Sequence, residues 1–364
     1  MNILFVVDYH MPSGYRTLSE GIIKPIAENH NVWIIANGYT GEEHYEKYRL
    51  IPSAPIPQLP YQIFAIAQSM IADWVIFIKD IDRSNYLNDC ISRIDDNFHD
   101  KYNVGAIFPV ESDPFPSKWA DEIKKYYCLV ATFTTFGVTV LNKANVTSIK
   151  LPVGLPSFWY EDTKEPPIIN EPYVLSVADN QERKNIPLAL DIFSDFLKIK
   201  PNYKFILCTD KEKRSGWDLQ ELLVRKNLQN SVIIYSPNLV TNNILKNFYT
   251  YASAFLLVSL AEGIGLPFYE AQSQGCPCVG TNCCGIAEAL HNSDFLVDVD
   301  RITTYEWGNI NHYWASKASG VEKLILAVNY KQREKVVYNT WTAASNRLID
   351  YMQEFCKLQE GMRA

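Results

Sequence analysis

The sequence S-L-A-E-G-I-G-L-P-F-Y-E-A, which runs from Ser259 to Ala271, decides the fold of this 364-residue chain. The residues directly before it, A-F-L-L-V at 254–258, form an apolar run that predicts a buried strand. After Gly265 the pattern becomes helical, so the segment predicts a strand, a glycine loop and a helix. In a parallel sheet this order leaves backbone N–H groups and a helix N-terminus at the sheet edge, where an anion can bind.

Two carboxylates frame this loop. Glu262 lies on the loop, and Glu270 lies about a turn and a half into the predicted helix. A carboxylate repels phosphate, but the hydroxyls of a ribose or another sugar donate hydrogen bonds to it. The pair therefore predicts hydroxyl recognition beside a phosphate site. The alternative is that Glu262 only caps the helix and Glu270 is a solvated helix residue, and the surrounding string of residues disfavours it.

The string E-G-I-G-L-P-F-Y-E-A at 262–271, followed by Q-G-C-P-C-V-G at 274–280, resembles the signature of retaining GT-B glycosyltransferases of family 4, the glycosyl transferases of group 1. The resemblance extends over most of the chain and is strongest across 172–290. It implies an α/β fold of the GT-B type, with two doubly wound Rossmann-like domains that face each other across a cleft. It also implies transfer of a sugar from a nucleotide-sugar donor to an acceptor hydroxyl, with retention of anomeric configuration.

Length and linker composition predict where the domains divide. We expect an N-terminal acceptor-side domain over 1–155 and a C-terminal nucleotide-sugar-binding domain over 172–335. The residues P-V-G-L-P at 152–156 resemble the hinge of the family, without its asparagine and aspartate, and a proline-rich linker follows at 163–172. The resemblance implies that the terminal helix at 336–364 crosses back to the first domain.

A basic pair follows the first predicted strand of the second domain. Arg183 and Lys184 lie in a strand-to-helix loop that resembles the family's R-K-N loop, in which a lysine pairs with the donor diphosphate. A cation is needed there because the leaving nucleoside diphosphate gains negative charge. We therefore expect Lys184 and Arg183 to act in catalysis with Glu262, which would hold the sugar hydroxyls. Two solvated basic residues are the alternative.

The resemblance also assigns the donor contacts. Glu270 would bind the ribose, the N–H groups after Glu262 would meet sugar and phosphate, and the loop at 236–240 would contact the base. The loop after the first strand approaches the donor phosphate in the family, although it has one glycine here where the family often has two. The predicted donor-binding residues are Gly14, Gly263, Ile264, Gly265, Leu266, Glu270, Ser236 and Pro237.

Candidates on the acceptor side are Arg16 and a pair of carboxylates, Glu111 and Asp113. Arg16 is a possible phosphate or acceptor contact, or else a surface arginine on the first helical turn. Asp113 best matches a catalytic position near the sugar 6-position or the acceptor, where the family often has histidine or aspartate. An Asp-Pro turn is the alternative for Asp113.

Charge and hydropathy disfavour several classes of protein. The chain has 34 basic and 41 acidic residues, a net charge of −7, so a nucleic-acid partner is disfavoured. No apolar run approaches the ~20 residues of a membrane span. The N-terminal run at 3–7 lacks a basic region before it and predicts a strand rather than a signal peptide. We expect a cytoplasmic protein, with peripheral membrane contact possible.

Neither a metal nor another cofactor is expected. The cysteines at 276, 278, 283 and 284 are interpreted as small buried hydrophobes in a reducing compartment. No Asp-x-Asp sequence is expected in a suitable loop: Asp80-Ile81-Asp82 fits the pattern but lies in the acceptor-side domain and is interpreted as a strand end.

Other functions remain open at this point. The acceptor can be a glycan, a lipid-linked saccharide or a small molecule. A nucleic-acid-modifying glycosyltransferase of the viral type and a non-catalytic GT-B protein that binds sugar nucleotides are the alternative functions. Residues 37–60 are predicted to be mostly loop, and 301–318 cannot be assigned.

Overall fold

The computed structural model describes residues 1–9, 13–45, 47–163, 165–210 and 216–363. The chain divides into two compact units, each with its own parallel sheet. The first unit contains residues 1–110, 115–156 and 339–364, and the second contains 111–114 and 157–338. The predicted α/β class with two Rossmann-like domains is confirmed.

The first unit is built on a sheet with the strand order β3-β4-β2-β1-β5-β6-β7-β8. All neighbouring strands are parallel except β3 and β4. Both faces of the central strands are covered, so β1 and β5 are nearly continuous apolar runs. The strands are β1 Asn2–Asp8, β2 Asn31–Asn37, β3 His44–Tyr45, β4 Arg49–Pro52, β5 Trp74–Ile78, β6 Asn103–Ile107, β7 Leu129–Thr132 and β8 Ile149–Lys150.

Helices connect these strands and cover the sheet. They are α1 Gly14–Ala27, α2 Leu59–Ser69, α3 Ile81–Ile94, α4 Phe98–Lys101, α5 Ser117–Tyr126 and α6 Thr135–Lys143. The expectation of a loop over 37–60 is wrong for 44–45 and 49–52, which extend the edge of the sheet. The buried pair Leu50 and Ile51 explains β4, and Pro52 is the last residue of the strand.

The sheet of the second unit is parallel throughout, with the strand order β11-β10-β9-β12-β13-β14. Its strands are β9 Tyr173–Val177, β10 Lys204–Cys208, β11 Val232–Tyr235, β12 Ala254–Leu257, β13 Cys278–Thr281 and β14 Leu296–Val297. Its helices are α7 Ile186–Leu197, α8 Leu219–Arg225, α9 Asn242–Tyr251, α10 Leu266–Ser273, α11 Cys284–Ala289 and α12 Lys317–Asn329. Because β9 and β12 are neighbours, the loops that follow them lie at the same edge of the sheet.

A β-hairpin occupies the region that the sequence left unassigned. Its antiparallel strands are β15 Val299–Tyr305 and β16 Ile310–Ala315. At its turn, Gly308 and Asn309 both have positive φ, at 69° and 54°. Both belong to the four-residue loop 306–309, because Tyr305 pairs with Ile310 across the hairpin.

The C-terminal helix α13, Trp341–Arg363, packs against α1 in the first unit. The contact is close, because a Cβ added to Gly21 would lie 2.4 Å from the Trp341 ring. The Ser345 hydroxyl donates to the Ile22 carbonyl at 2.8 Å. Leu348 and Met352 are fully buried, so one face of this helix is part of the core. Among the described residues, no helix has the length and apolar character needed to cross a bilayer.

Candidate functional site

The glutamate-framed segment folds as a strand, a loop and a helix. β12 ends at Leu257 and α10 begins at Leu266, with Gly265 before it in the left-handed conformation at φ +72°. The start of α11 packs closely against the backbone of this loop. A Cβ on Gly285 would lie 2.5 Å from the Gly263 carbonyl oxygen and 2.8 Å from that of Glu262. Gly285 is therefore required for this loop to adopt its position.

Three backbone N–H groups of this loop have no hydrogen-bond acceptor in the part of the chain that the structure describes. Those of Gly263, Ile264 and Gly265 donate no hydrogen bond to any residue that the structure describes, although all three residues are buried. Buried N–H groups almost always have an acceptor. The loop is therefore suited to a ligand that supplies acceptor oxygens next to the N-terminus of α10.

The Glu262 carboxylate accepts three hydrogen bonds or ion pairs and is 7 % exposed. Its Oε1 accepts from the Lys184 ammonium and, at 2.9 Å, from the Ser259 hydroxyl. Its Oε2 lies 3.1 Å from Nη1 of Arg183. The two predicted basic residues and the first glutamate of the motif thus form one cluster at the edge of the β9–β12 pair.

The pKa values of Glu262 and Lys184 depend on the charges that they and Arg183 carry. Burial favours the neutral form of Glu262, but the charges of Lys184 and Arg183 and the hydrogen bonds from Lys184 and Ser259 outweigh it and lower its pKa to about 2. Burial and the charge of Arg183 lower the pKa of Lys184, and Glu262 opposes this effect. Glu262 is therefore ionised throughout the neutral pH range and is unsuited to donate a proton.

Arg183 is attached to the loop by its backbone as well as its side chain. Its carbonyl oxygen accepts from the Leu260 N–H at 2.7 Å, and its Nη1 donates to the Ala261 carbonyl at 2.7 Å. Its Nη2 lies 2.9 Å from Oε1 of Glu111. The guanidinium therefore bridges two carboxylates, Glu111 and Glu262, while it also braces the loop before Glu262.

The predicted acceptor-side pair Glu111 and Asp113 belongs to the second unit. We expected both within the first domain, over 1–155, but residues 111–114 are grouped with the second unit. The Asp113 carboxylate accepts from the Tyr313 hydroxyl and, at 3.3 Å, from the Asn311 amide. Backbone and side-chain hydrogen bonds to β16 thus explain why the segment departs from the boundary expected from the sequence.

Glu270 lies in a different environment from Glu262. Its Oε2 accepts a 3.1 Å hydrogen bond from the Tyr249 hydroxyl, and it forms no ion pair with any described residue. Burial raises the pKa of Glu270 to about 7, and the Tyr249 hydrogen bond opposes this rise only in part. Tyr249 is a functional candidate that the sequence did not reveal, because nothing in its local pattern distinguishes it from a core tyrosine.

Other predicted donor contacts are spread along the same sheet. Leu266 begins α10 and is buried. Ser236 and Pro237 follow β11 and begin a 3₁₀ turn over 237–239. Neither residue has a hydrogen bond to the Glu262 cluster among the described residues. Their place after a parallel strand still puts them at the ligand-binding edge of the sheet.

The candidates Gly14 and Arg16 lie at the start of α1 in the first unit. The Ser13 side chain caps this helix by accepting from the Arg16 N–H at 3.1 Å. The Arg16 guanidinium pairs with Glu20 at 2.7 Å and lies 4.5 Å from the centre of the Tyr9 ring. Arg16 is thus held in place by its own unit, and any ligand role for it remains a prediction.

The Asp-x-Asp sequence begins a helix rather than ending a strand, because β5 ends at Ile78 and α3 begins at Ile81. Burial raises the pKa of Asp80, and a 2.7 Å hydrogen bond from the Tyr15 hydroxyl opposes the rise. The structure places no group of three or more metal-ligating side chains together within the described ranges. All eight cysteines are free thiols.

Solved structures share the fold of the whole chain. Anabaena HepE in complex with UDP and glucose has a TM-score of 0.70 at 15% identity, over 99% of both chains. Sucrose-phosphate synthase from Thermosynechococcus elongatus has a TM-score of 0.70 at 14% identity, over 98% of this chain and 100% of that one. A glycosyltransferase from Rickettsia africae has a TM-score of 0.64 at 16% identity, over 98% and 97%. The fold is therefore that of the GT-B glycosyltransferases, as predicted.

A sequence comparison finds one family match, which lies within the second unit. Residues 160–308 match the family model of the glycosyl transferases of group 1, a range that contains Lys184, Glu262 and Glu270. The match confirms the predicted resemblance to the glycosyl transferases of group 1 over this range, and glycosyltransferase is the class of enzyme that the chain resembles. No curated protein sequence matches the chain.

Proposed function

We propose that the protein transfers a sugar from a nucleotide-sugar donor to an acceptor hydroxyl with retention of anomeric configuration. The observation that carries the proposal is the pairing of Lys184 with Glu262 beside three buried N–H groups that have no acceptor among the described residues. Together these groups offer positive charge, negative charge and hydrogen-bond donors at one sheet edge. A nucleotide sugar presents the matching set, with phosphate oxygens and sugar hydroxyls next to each other.

Each group has a distinct role in the proposal. Lys184 has three N–H donors, so it can keep its contact with Glu262 while it binds a phosphate oxygen. Arg183 adds positive charge at the same place, where the departing diphosphate becomes more negative. Glu262 accepts from sugar hydroxyls, and Glu270 accepts from the ribose hydroxyls.

The arrangement favours attack and departure on one face of the sugar. Glu262 and Glu270 come from one loop–helix segment, whereas a glycosidase holds its two carboxylates on either side of the bond that breaks. The low pKa of Glu262, about 2, also makes it a poor proton donor. In this mechanism the bond from the sugar to the diphosphate breaks, the acceptor oxygen bonds to the same face, and the leaving phosphate takes the acceptor proton.

The proposed reaction needs no metal, because Lys184, Arg183 and the N-terminus of α10 supply the positive field at the diphosphate. We place the acceptor on the first unit, near Gly14 and Arg16, with Asp113 as a candidate for catalysis. A glycan, a lipid-linked saccharide or a small molecule fits this role. A cytoplasmic location with peripheral membrane contact is part of the same proposal.

The first donor to test is UDP-glucose. Anabaena HepE, which shares the fold, is described in complex with UDP-glucose. The residues Ser236 and Pro237 do not distinguish uracil from guanine or adenine. GDP-, ADP- and TDP-sugars therefore belong in the same panel.

The experiment combines binding with hydrolysis across this panel. Thermal unfolding and nucleotide release are measured for the wild type and for Glu262→Ala and Lys184→Ala. We expect stabilisation by one nucleotide class and loss of hydrolysis in both variants. The surface variant Lys198→Ala is the matched control, because Lys198 pairs with Asp195 on an exposed face. A wild type that neither binds nor hydrolyses any member of the panel would refute the donor site.

A further inference from the structure

The hairpin of β15 and β16 contacts the candidate site directly. We propose that Tyr313 and Asn311 are positioning residues that hold residues 111–114 and, through Glu111, fix the direction of the Arg183 guanidinium. The inference rests on the proposed function, since the direction of Arg183 matters most if a diphosphate binds there. It goes beyond that function because it assigns a role to a hairpin outside the glutamate motif.

Hydrogen bonds fasten the segment to β16 along its length. The Ser112 hydroxyl donates to the Asn311 carbonyl at 2.6 Å, and the Asn311 N–H donates to the Asp113 carbonyl at 2.7 Å. The Asn311 amide and the Tyr313 hydroxyl both donate to the Asp113 carboxylate. Bonds to an ionised acceptor are stronger than neutral ones. The segment is therefore a fixed part of the second unit.

The fixed segment leads directly to the charged cluster. Glu111, next to Ser112, lies 2.9 Å from Nη2 of Arg183. The other nitrogen of the guanidinium, Nη1, lies 3.1 Å from Glu262. A guanidinium is planar and rigid, so contacts on two of its nitrogens fix its orientation.

A second route joins the hairpin to the same arginine through the backbone. The Tyr313 N–H donates to the Leu260 carbonyl at 2.8 Å, and the Leu260 N–H donates to the Arg183 carbonyl at 2.7 Å. β16 therefore supports both the backbone and the side-chain partner of Arg183. Small errors in the direction of a charge cost catalysis more than they cost binding, because the extra negative charge on the leaving group develops only in the transition state.

The test is Tyr313→Phe, which removes one hydroxyl and keeps the ring. Tyr305→Phe is its matched control, because Tyr305 is in the same hairpin and stacks on His312 rather than contacting Asp113. Steady-state hydrolysis of UDP-glucose, or of the donor that the panel identifies, separates kcat from KM. We expect kcat to fall about tenfold in Tyr313→Phe with donor KM changed less than about twofold, and no change in Tyr305→Phe.

A double-variant cycle with Glu111→Gln tests the route. If Tyr313 acts through Glu111, Tyr313→Phe causes no further loss in the Glu111→Gln background. If the two single losses in kcat multiply in the double variant, or if Tyr313→Phe keeps the wild-type kcat, the inference is overturned while the proposed function stands. A wild type inactive on every donor would overturn the proposed function and this inference with it. If Tyr313→Phe does not fold, Asn311→Ala removes the other side-chain donor to Asp113 and is judged by the same criteria.

Discussion

Lys184 and Glu262 form an ion pair although they are 78 positions apart in the chain. Their side chains are 15 % and 7 % exposed, so both charged groups are largely desolvated. A buried ion pair contributes little net stability, because the cost of desolvation offsets the attraction. The pair joins the loops that follow two neighbouring strands, and the proposed function gives it a role in ligand binding.

Replacing Lys184 with methionine should abolish most turnover while the fold remains. We expect kcat for donor hydrolysis to fall by about 10²–10³-fold, since one charged contact to the leaving group is lost. Arg183 continues to pair with Glu262 and limits the loss of stability. Steady-state kinetics and thermal unfolding check this, with Lys198→Met as control. Turnover within about threefold of the wild type would contradict the assigned role.

Gly285→Ala should displace the loop that forms the proposed donor site. The added methyl would lie 2.5 Å from the Gly263 carbonyl, so the loop with the unpaired N–H groups must move. We expect a lower unfolding temperature and nucleotide affinity weakened by about tenfold or more. Gly361→Ala is the matched control, because a methyl there meets nothing within 4 Å. Calorimetric titration with UDP measures the affinity, and equal affinities of the two variants would refute the expected effect.

The raised pKa of Glu270 predicts a pH-dependent stability. Its pKa is about 7 in the folded protein, against 4.5 as the ordinary value. The folded state therefore binds this proton more tightly than the unfolded state does. The resulting contribution to the free energy of unfolding is fully present below pH 4.5 and is lost as the pH rises through 7. We expect Glu270→Gln to remove a decline on the order of 2 kcal/mol across this window.

Denaturant unfolding at a series of pH values measures this difference. The exposed Glu322 on α12 provides the control variant Glu322→Gln, which should keep the decline of the wild type. Parallel pH curves for the wild type and Glu270→Gln would show that Glu270 is ionised normally in the folded protein.

The local order of the donor site could be predicted from sequence. The apolar run before Ser259 and the glycines that follow Glu262 are all within one short segment. Their conformations are set by local chemistry, since apolar runs form buried strands and Gly265 accepts a positive φ. The proline after Leu266 then suits the first turn of a helix.

Long-range contacts could not be predicted in the same way. The Glu111–Arg183 and Tyr249–Glu270 contacts join distant positions, and a single sequence contains no signal for such pairs. The hairpin has only a weak local signal, because Gly308-Asn309 is a turn dipeptide but four residues rather than two separate the paired strands. Because the hairpin was not predicted, residues 111–114 were assigned to a loop of the first domain.

The most direct test follows the anomeric proton of the sugar by NMR during donor turnover. The donor identified by the panel, starting with UDP-glucose, is incubated with the wild type, Lys184→Ala and Glu262→Ala. Early spectra are recorded before the free sugar equilibrates. The account predicts that the wild type releases the anomer present in the donor and that both variants release almost none. Release of the opposite anomer would contradict retention, and equal release by the variants would contradict the site.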